Sequence, residues 1–140
     1  MENKYYTPTI DEFYVGFEYE ECIKYDGEDI WGGRVYAVGG TCDYIKTMYE
    51  NSIEKTFLRV KYLDQEDVES SGWDKSFDEP DEWFHSYKGN QEIQLYFDDK
   101  CKINNTNAVG ITIYMQETII FNGWIYNKSE LKKLMKQLGL

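Results

Sequence analysis

The chain has 140 residues and carries 13 Tyr, 7 Phe and 4 Trp at a formal net charge of -11. Hydrophobic content of 41% and aromatic content of 17% exclude a disordered acidic tail, and the length suits one domain, residues 1–140, able to bury a core without staples. The excess of 26 Asp and Glu over 15 Lys and Arg opposes binding to nucleic acid or anionic membrane unless cations cluster locally, so neither is an expected partner.

Along the chain, Phe13, Val15, Phe17 and Tyr19 alternate with Tyr14, Gly16, Glu18 and Glu20, the period-2 pattern of a strand with one wetter face. Asp26-Gly27 and Gly32-Gly33 mark turns, and Arg34 to Val38 reads as a second strand paired with the first. Thr41 after Gly39-Gly40 predicts a helix cap over 42–51, and Thr56 to Leu63 returns to strand character. Asp64 caps a short helix over Gln65-Glu66-Asp67-Val68-Glu69 that Gly72 can end.

Asp74 to Glu82 is an irregular acidic segment, and strands are expected at Trp83 to Tyr87, Glu92 to Phe97, Val109 to Gln116 and Thr118 to Tyr126, in meander order. Asn127 with Glu130 predicts a capping box, and Leu131, Leu134, Met135 and Leu138 form one apolar stripe of a C-terminal amphipathic helix. Lys128, Lys132, Lys133 and Lys136 fit its solvent face and its negative end. The expected fold is α+β: an antiparallel sheet of about six or seven strands in a meander, with helices packed on one face.

Catalytic templates find little to rest on. His85 is the single histidine, and Cys22, Cys42 and Cys101 are widely spaced, without the ligand spacing of a zinc site or a basic neighbour to activate a thiol. Carboxylate pairs such as Asp98-Asp99 are too common among 26 acids to be diagnostic, and the glycine pairs lack the residues of a phosphate-binding loop. The expectation is a protein that is not an enzyme and has no metal or cofactor. The odd cysteine number, an N-terminal Met1-Glu2-Asn3-Lys4 without an apolar leader, and the lack of an apolar run near the roughly 18 residues of a membrane span predict reduced thiols and a cytoplasmic location.

The opening Tyr5-Tyr6-Thr7-Pro8-Thr9-Ile10-Asp11-Glu12-Phe13 through Glu20, the segment Arg59-Val60-Lys61-Tyr62-Leu63-Asp64 through Ser71-Gly72-Trp73, and Asn127-Lys128-Ser129-Glu130-Leu131-Lys132-Lys133-Leu134 resemble small uncharacterised proteins of tailed phages and prophages. The resemblance implies a genomic setting, with the cytoplasm of a host bacterium as location, and no reaction. It does not extend over 21–55 or 74–108.

Tyrosine and tryptophan supply large contact area at low conformational cost, which favours binding over catalysis. The leading expectation is an accessory protein that binds a host component, with Asp78, Glu79, Asp81 and Glu82 mimicking an anionic surface to occupy a basic face of a host defence protein. The alternative is sequestration of a small nucleotide signal by aromatic and cationic side chains, drawn from Tyr14, Arg34, Tyr36, Arg59, Trp83, Tyr87, Tyr96 and Tyr114. A structural or assembly role through self-association, including a homodimer, is a further class.

Overall fold

A computed structural model describes residues 4–32, 35–36, 58–99 and 108–140. The expected helix over 42–51, Arg34, Cys42 and Cys101 lie outside the described residues. The fold is α+β, with two antiparallel sheets in two units, Met1–Lys61 and Tyr62–Leu140.

In the first unit β1 (Tyr5–Tyr6), β2 (Glu18–Tyr25), β3 (Glu28–Trp31) and β5 (Leu58–Lys61) follow the order β1-β5-β2-β3, and β4 (Val35–Tyr36) also pairs with β2. Asp26 and Gly27 join β2 to β3 with φ of 53° and 82°, the left-handed pair whose twist matches a two-residue hairpin. After β1, Glu12 gathers the N-terminal segment: its carboxylate accepts from the Tyr6 hydroxyl at 2.7 Å and the Thr9 amide at 2.6 Å.

The first core consists of Phe13, Phe17, Tyr19, Leu58 and Val60, with Phe13 edge-on to Phe17 at 5.0 Å and to Tyr19 at 5.3 Å. The strand expected from Phe13 begins only at Glu18. A tight turn intervenes, in which the Phe17 amide donates to the Tyr14 carbonyl at 2.9 Å and Gly16 adopts φ of 96°, a conformation that side chains other than glycine rarely adopt. Val15 at the tip is therefore exposed, whereas Phe13 and Phe17 still reach the core.

The second unit opens with α1 (Gln65–Ser70). Asp64 and Asp67 form a reciprocal capping box across its first turn, as the sequence predicts for Asp64. The strands β6 (Asp74–Lys75), β7 (Trp83–Lys88), β8 (Gln91–Asp98), β9 (Val109–Met115) and β10 (Thr118–Ile125) form one antiparallel sheet in the order β10-β9-β8-β7-β6, and α2 (Lys128–Leu138) closes the chain.

The expected meander is present, but the single sheet of about six or seven strands is replaced by two sheets. Hydrophobic periodicity reports which face of a strand is buried, not which strand lies beside it, so β5 could not be assigned to β1 and β2 from pattern alone. The short strands β1, β3 and β6 were not anticipated; β6 is the polar pair Asp74-Lys75, and β3 opens on Glu28-Asp29 directly after the Asp26-Gly27 turn.

One face of the second sheet buries Phe84, Ile93, Leu95, Phe97, Ile111 and Ile113 together with Val68, Trp73, Leu131 and Leu134 from outside the strands. The Trp73 indole N–H donates to the Met135 sulfur at 3.3 Å, fixing the tryptophan edge against α2. The register of β10 slips between Ile119 and Phe121, a bulge after which consecutive residues Ile120 and Phe121 both pack on this core. Lys132, Lys133 and Lys136 lie on the exposed side of α2. At its start the Asn127 side chain accepts the Glu130 amide at 2.9 Å, while the Glu130 carboxylate reaches one residue beyond the cap, to the Tyr126 amide at 2.7 Å. At its end, amides of Gly139 and Leu140 bond back to Lys136 and Met135 in a Schellman closure.

Leu95 sits in the middle of this core, fully buried and paired with Phe84 on one side and Ile113 on the other. Leu95→Ala should cost about 2–5 kcal/mol in denaturant unfolding; a loss under about 1 kcal/mol would contradict this core position.

Candidate functional site

The acidic segment is an excursion between β6 and β7, whose pairing of Asp74 with His85 and Lys75 with Phe84 holds its two ends together. The Ser76 amide donates to the Trp83 carbonyl at 2.8 Å, the Trp83 amide to the Glu79 carbonyl at 2.9 Å, and the Phe97 amide to the Glu82 carbonyl at 2.7 Å. From α1, the Gln65 side chain donates to the Asp81 carbonyl at 2.9 Å. The loop is thus tied to the neighbouring strands and helix through its backbone.

Asp78, Glu79 and Asp81 are exposed, as expected, while Glu82 is half-buried. The residue that the sequence did not single out is Phe77, which is 98% exposed directly before Asp78. A phenyl ring bared to water on an anchored loop and flanked by carboxylates is an uncommon surface arrangement. Its sequence signal is an aromatic residue within a polar run that has no strand or helix period to bury it.

The second surface is the sheet face opposite α2. The pleat that sends Phe84, Leu95 and Phe97 into the core places Trp83, His85 and Tyr87 of β7, Glu92, Gln94 and Tyr96 of β8, and Thr112 and Tyr114 of β9 on this other face. Trp83 stands beside both Tyr96 and Tyr114, with ring centroids 5.0 and 5.8 Å apart, so three of the expected aromatic residues form one contiguous patch. Tyr87, 65% exposed, lies edge-on to His85 at 6.2 Å. Trp124 of β10 approaches the backbone at Gly110, where an added Cβ would meet its ring at 3.4 Å. Beside Tyr114 a groove of about 380 Å³ is lined by Asn90, Glu92, Gln94, Gln116 and Glu117.

The remaining candidates belong to the first unit. Tyr14 packs edge-on to Phe17 at 5.7 Å and joins the core margin, and Tyr36 lies on β4. The Arg59 guanidinium sits 3.8 Å from the Tyr5 ring centroid and 4.2 Å from that of Trp31, and its Nε donates to Glu20 at 2.5 Å. This is a cation held between two rings and a carboxylate, a cluster that explains Arg59 by packing. The sequence singled out Arg59, but Tyr5 and Trp31 come to it only through the β1-β5-β2-β3 strand order.

Among the described residues no group of His, Cys, Asp and Glu side chains is arranged to hold a metal ion, and no helix is long and apolar enough to cross a membrane. Comparison with protein-family models, curated proteins and solved structures yields no match.

With Arg59 and Glu20 side chains only 26% and 19% exposed, Arg59→Ala should lower unfolding stability by about 1–3 kcal/mol, through loss of both ring contacts and the partner of Glu20. Arg59→Lys should recover only part of this, since an ammonium cannot fill the planar slot. Thermal unfolding of both variants checks the order: a lysine variant equal to wild type would mean that charge alone matters.

Proposed function

We propose that the protein is a non-enzymatic binding protein of phage or prophage type that engages a basic surface of a host protein through the anchored acidic loop between β6 and β7. The observation that carries this reading is Phe77, held out at 98% exposure with Asp78, Glu79 and Asp81 exposed beside it. Carboxylates steer the loop to a cationic face and set the register, and the phenyl ring supplies the apolar anchor that charge alone does not provide. Backbone hydrogen bonds from Ser76, Trp83 and Phe97 and a side-chain hydrogen bond from Gln65 reduce the ordering cost of binding. Occupying the cationic face of a host defence protein in this way would block its own anionic target.

Affinity capture from bacterial lysate with the wild-type protein and two variants tests the reading. Phe77→Ala should weaken retention of the captured protein by at least about tenfold, and charge reversal of Asp78, Glu79 and Asp81 to Lys should abolish it. Retention should also fall steeply with added salt, as the screening length shortens from about 10 Å at 0.1 M to about 3 Å at 1 M. Identical capture by wild type and the reversed loop would overturn the proposal.

A further inference from the structure

We infer that the groove beside Tyr114 is a binding site for a neutral saccharide, independent of the acidic loop. Its chemistry disfavours charged small ligands of either sign. The charged side chains that line it are Glu92 and Glu117, so a phosphate or carboxylate ligand would meet like charge. An ammonium ligand would satisfy the carboxylates but leave the donor halves of the Asn90, Gln94 and Gln116 amides facing a group that accepts nothing. Vicinal hydroxyls of a sugar ring both donate and accept, and so match amides and carboxylates together.

The apolar half of a sugar also finds its complement. Gln94 is paired directly across from Tyr114, and the Tyr114 ring continues through Trp83 to Tyr96, at centroid spacings of 5.8 and 5.0 Å. Of these mutually tilted rings Tyr114 lines the groove itself, so the C–H face of one pyranose can lie against it with the hydroxyls over the amides. The volume of about 380 Å³ lies at the lower end of small-molecule sites, suited to one or two sugar rings with the rest of a chain outside.

The turn that closes the groove supports the same reading. Gln116 and Glu117 form the two-residue loop between β9 and β10, following the Met115–Thr118 pair, with φ of 49° and 65°. Such a turn favours Asn-Gly, and the β2–β3 hairpin uses Asp26-Gly27 at the same kind of position. Placing two long side chains in the left-handed region carries strain, and both line the groove.

The test is an amide NMR titration of the full chain with neutral trisaccharides of glucose, galactose and N-acetylglucosamine, to about 10 mM, where even a millimolar dissociation constant gives saturable shifts. The expected result is saturable shifts at residues 90–94 and 114–117 with at least one sugar. Tyr114→Phe should bind within about threefold of wild type, and Tyr114→Ala at least about tenfold more weakly. The double change Gln116→Asn with Glu117→Gly installs the favoured turn, so it should raise the melting temperature while weakening the sugar at least about tenfold. Absence of shifts with all three sugars would overturn the inference. So would unchanged affinity in the stabilised turn variant, or shifts at these residues with spermidine or adenosine monophosphate but none of the sugars.

Discussion

The two-residue pleat of β7, β8 and β9 is the constraint on which the second unit depends. Burying Phe84, Ile93, Leu95, Phe97, Ile111 and Ile113 on one face leaves the intervening positions no choice of side. Had Trp83, Tyr96 and Tyr114 been scattered between both faces, some would have been ordinary core residues. Instead the core is mainly aliphatic and sealed by α2, and Trp83, Tyr96 and Tyr114 gather on the other face, beside one another. The same strands that stabilise the unit therefore build a rigid aromatic platform, and rigid strands position a binding surface more closely than loops do.

Charge is distributed by a comparable economy. The molecule has few cations for its acids, and three of the described ones serve local structure: Arg59 is held by Glu20 and two rings, Lys75 pairs with Glu69 at 3.0 Å, and Lys136 lies in the last turn of α2, whose carbonyl end favours a cation. The carboxylates of Asp78, Glu79 and Asp81 are exposed to solvent. Long-range attraction then selects cationic partners, while Phe77 and the groove amides act only at contact distance.

Much of this architecture is legible in the sequence. Asp64 as a cap, the Leu131–Leu134–Leu138 stripe and the strand over Glu92 to Phe97 each follow from a local rule, and each stands in the structure. Long-range pairing was not legible. Nothing in Tyr5 or Trp31 points to Arg59 until β5 lies beside β1 and β2, and nothing in Gln94 points to Tyr114 until β8 and β9 are in register. Phe77 escaped notice because its exposure is set by backbone bonds from distant segments, and Gln116-Glu117 because it makes a left-handed turn without the glycine or asparagine that signals one. The candidate site was thus readable as a list of aromatic and acidic residues but not as two surfaces.

Trp83 joins those surfaces. Its amide and carbonyl close the acidic loop against Glu79 and Ser76, while its ring rests beside Tyr96 and Tyr114. A change at Trp83 would disturb loop and platform together, so loss of any activity in such a variant would say nothing about which surface acts. Phe77 lies outside the platform, and Gln116 and Glu117 belong to the opposite hairpin from the acidic loop, so these positions separate the two roles. Because each can be altered without touching the hydrophobic core, a change in binding at either one reports on a surface, whereas a change at the residue they share reports only on the fold.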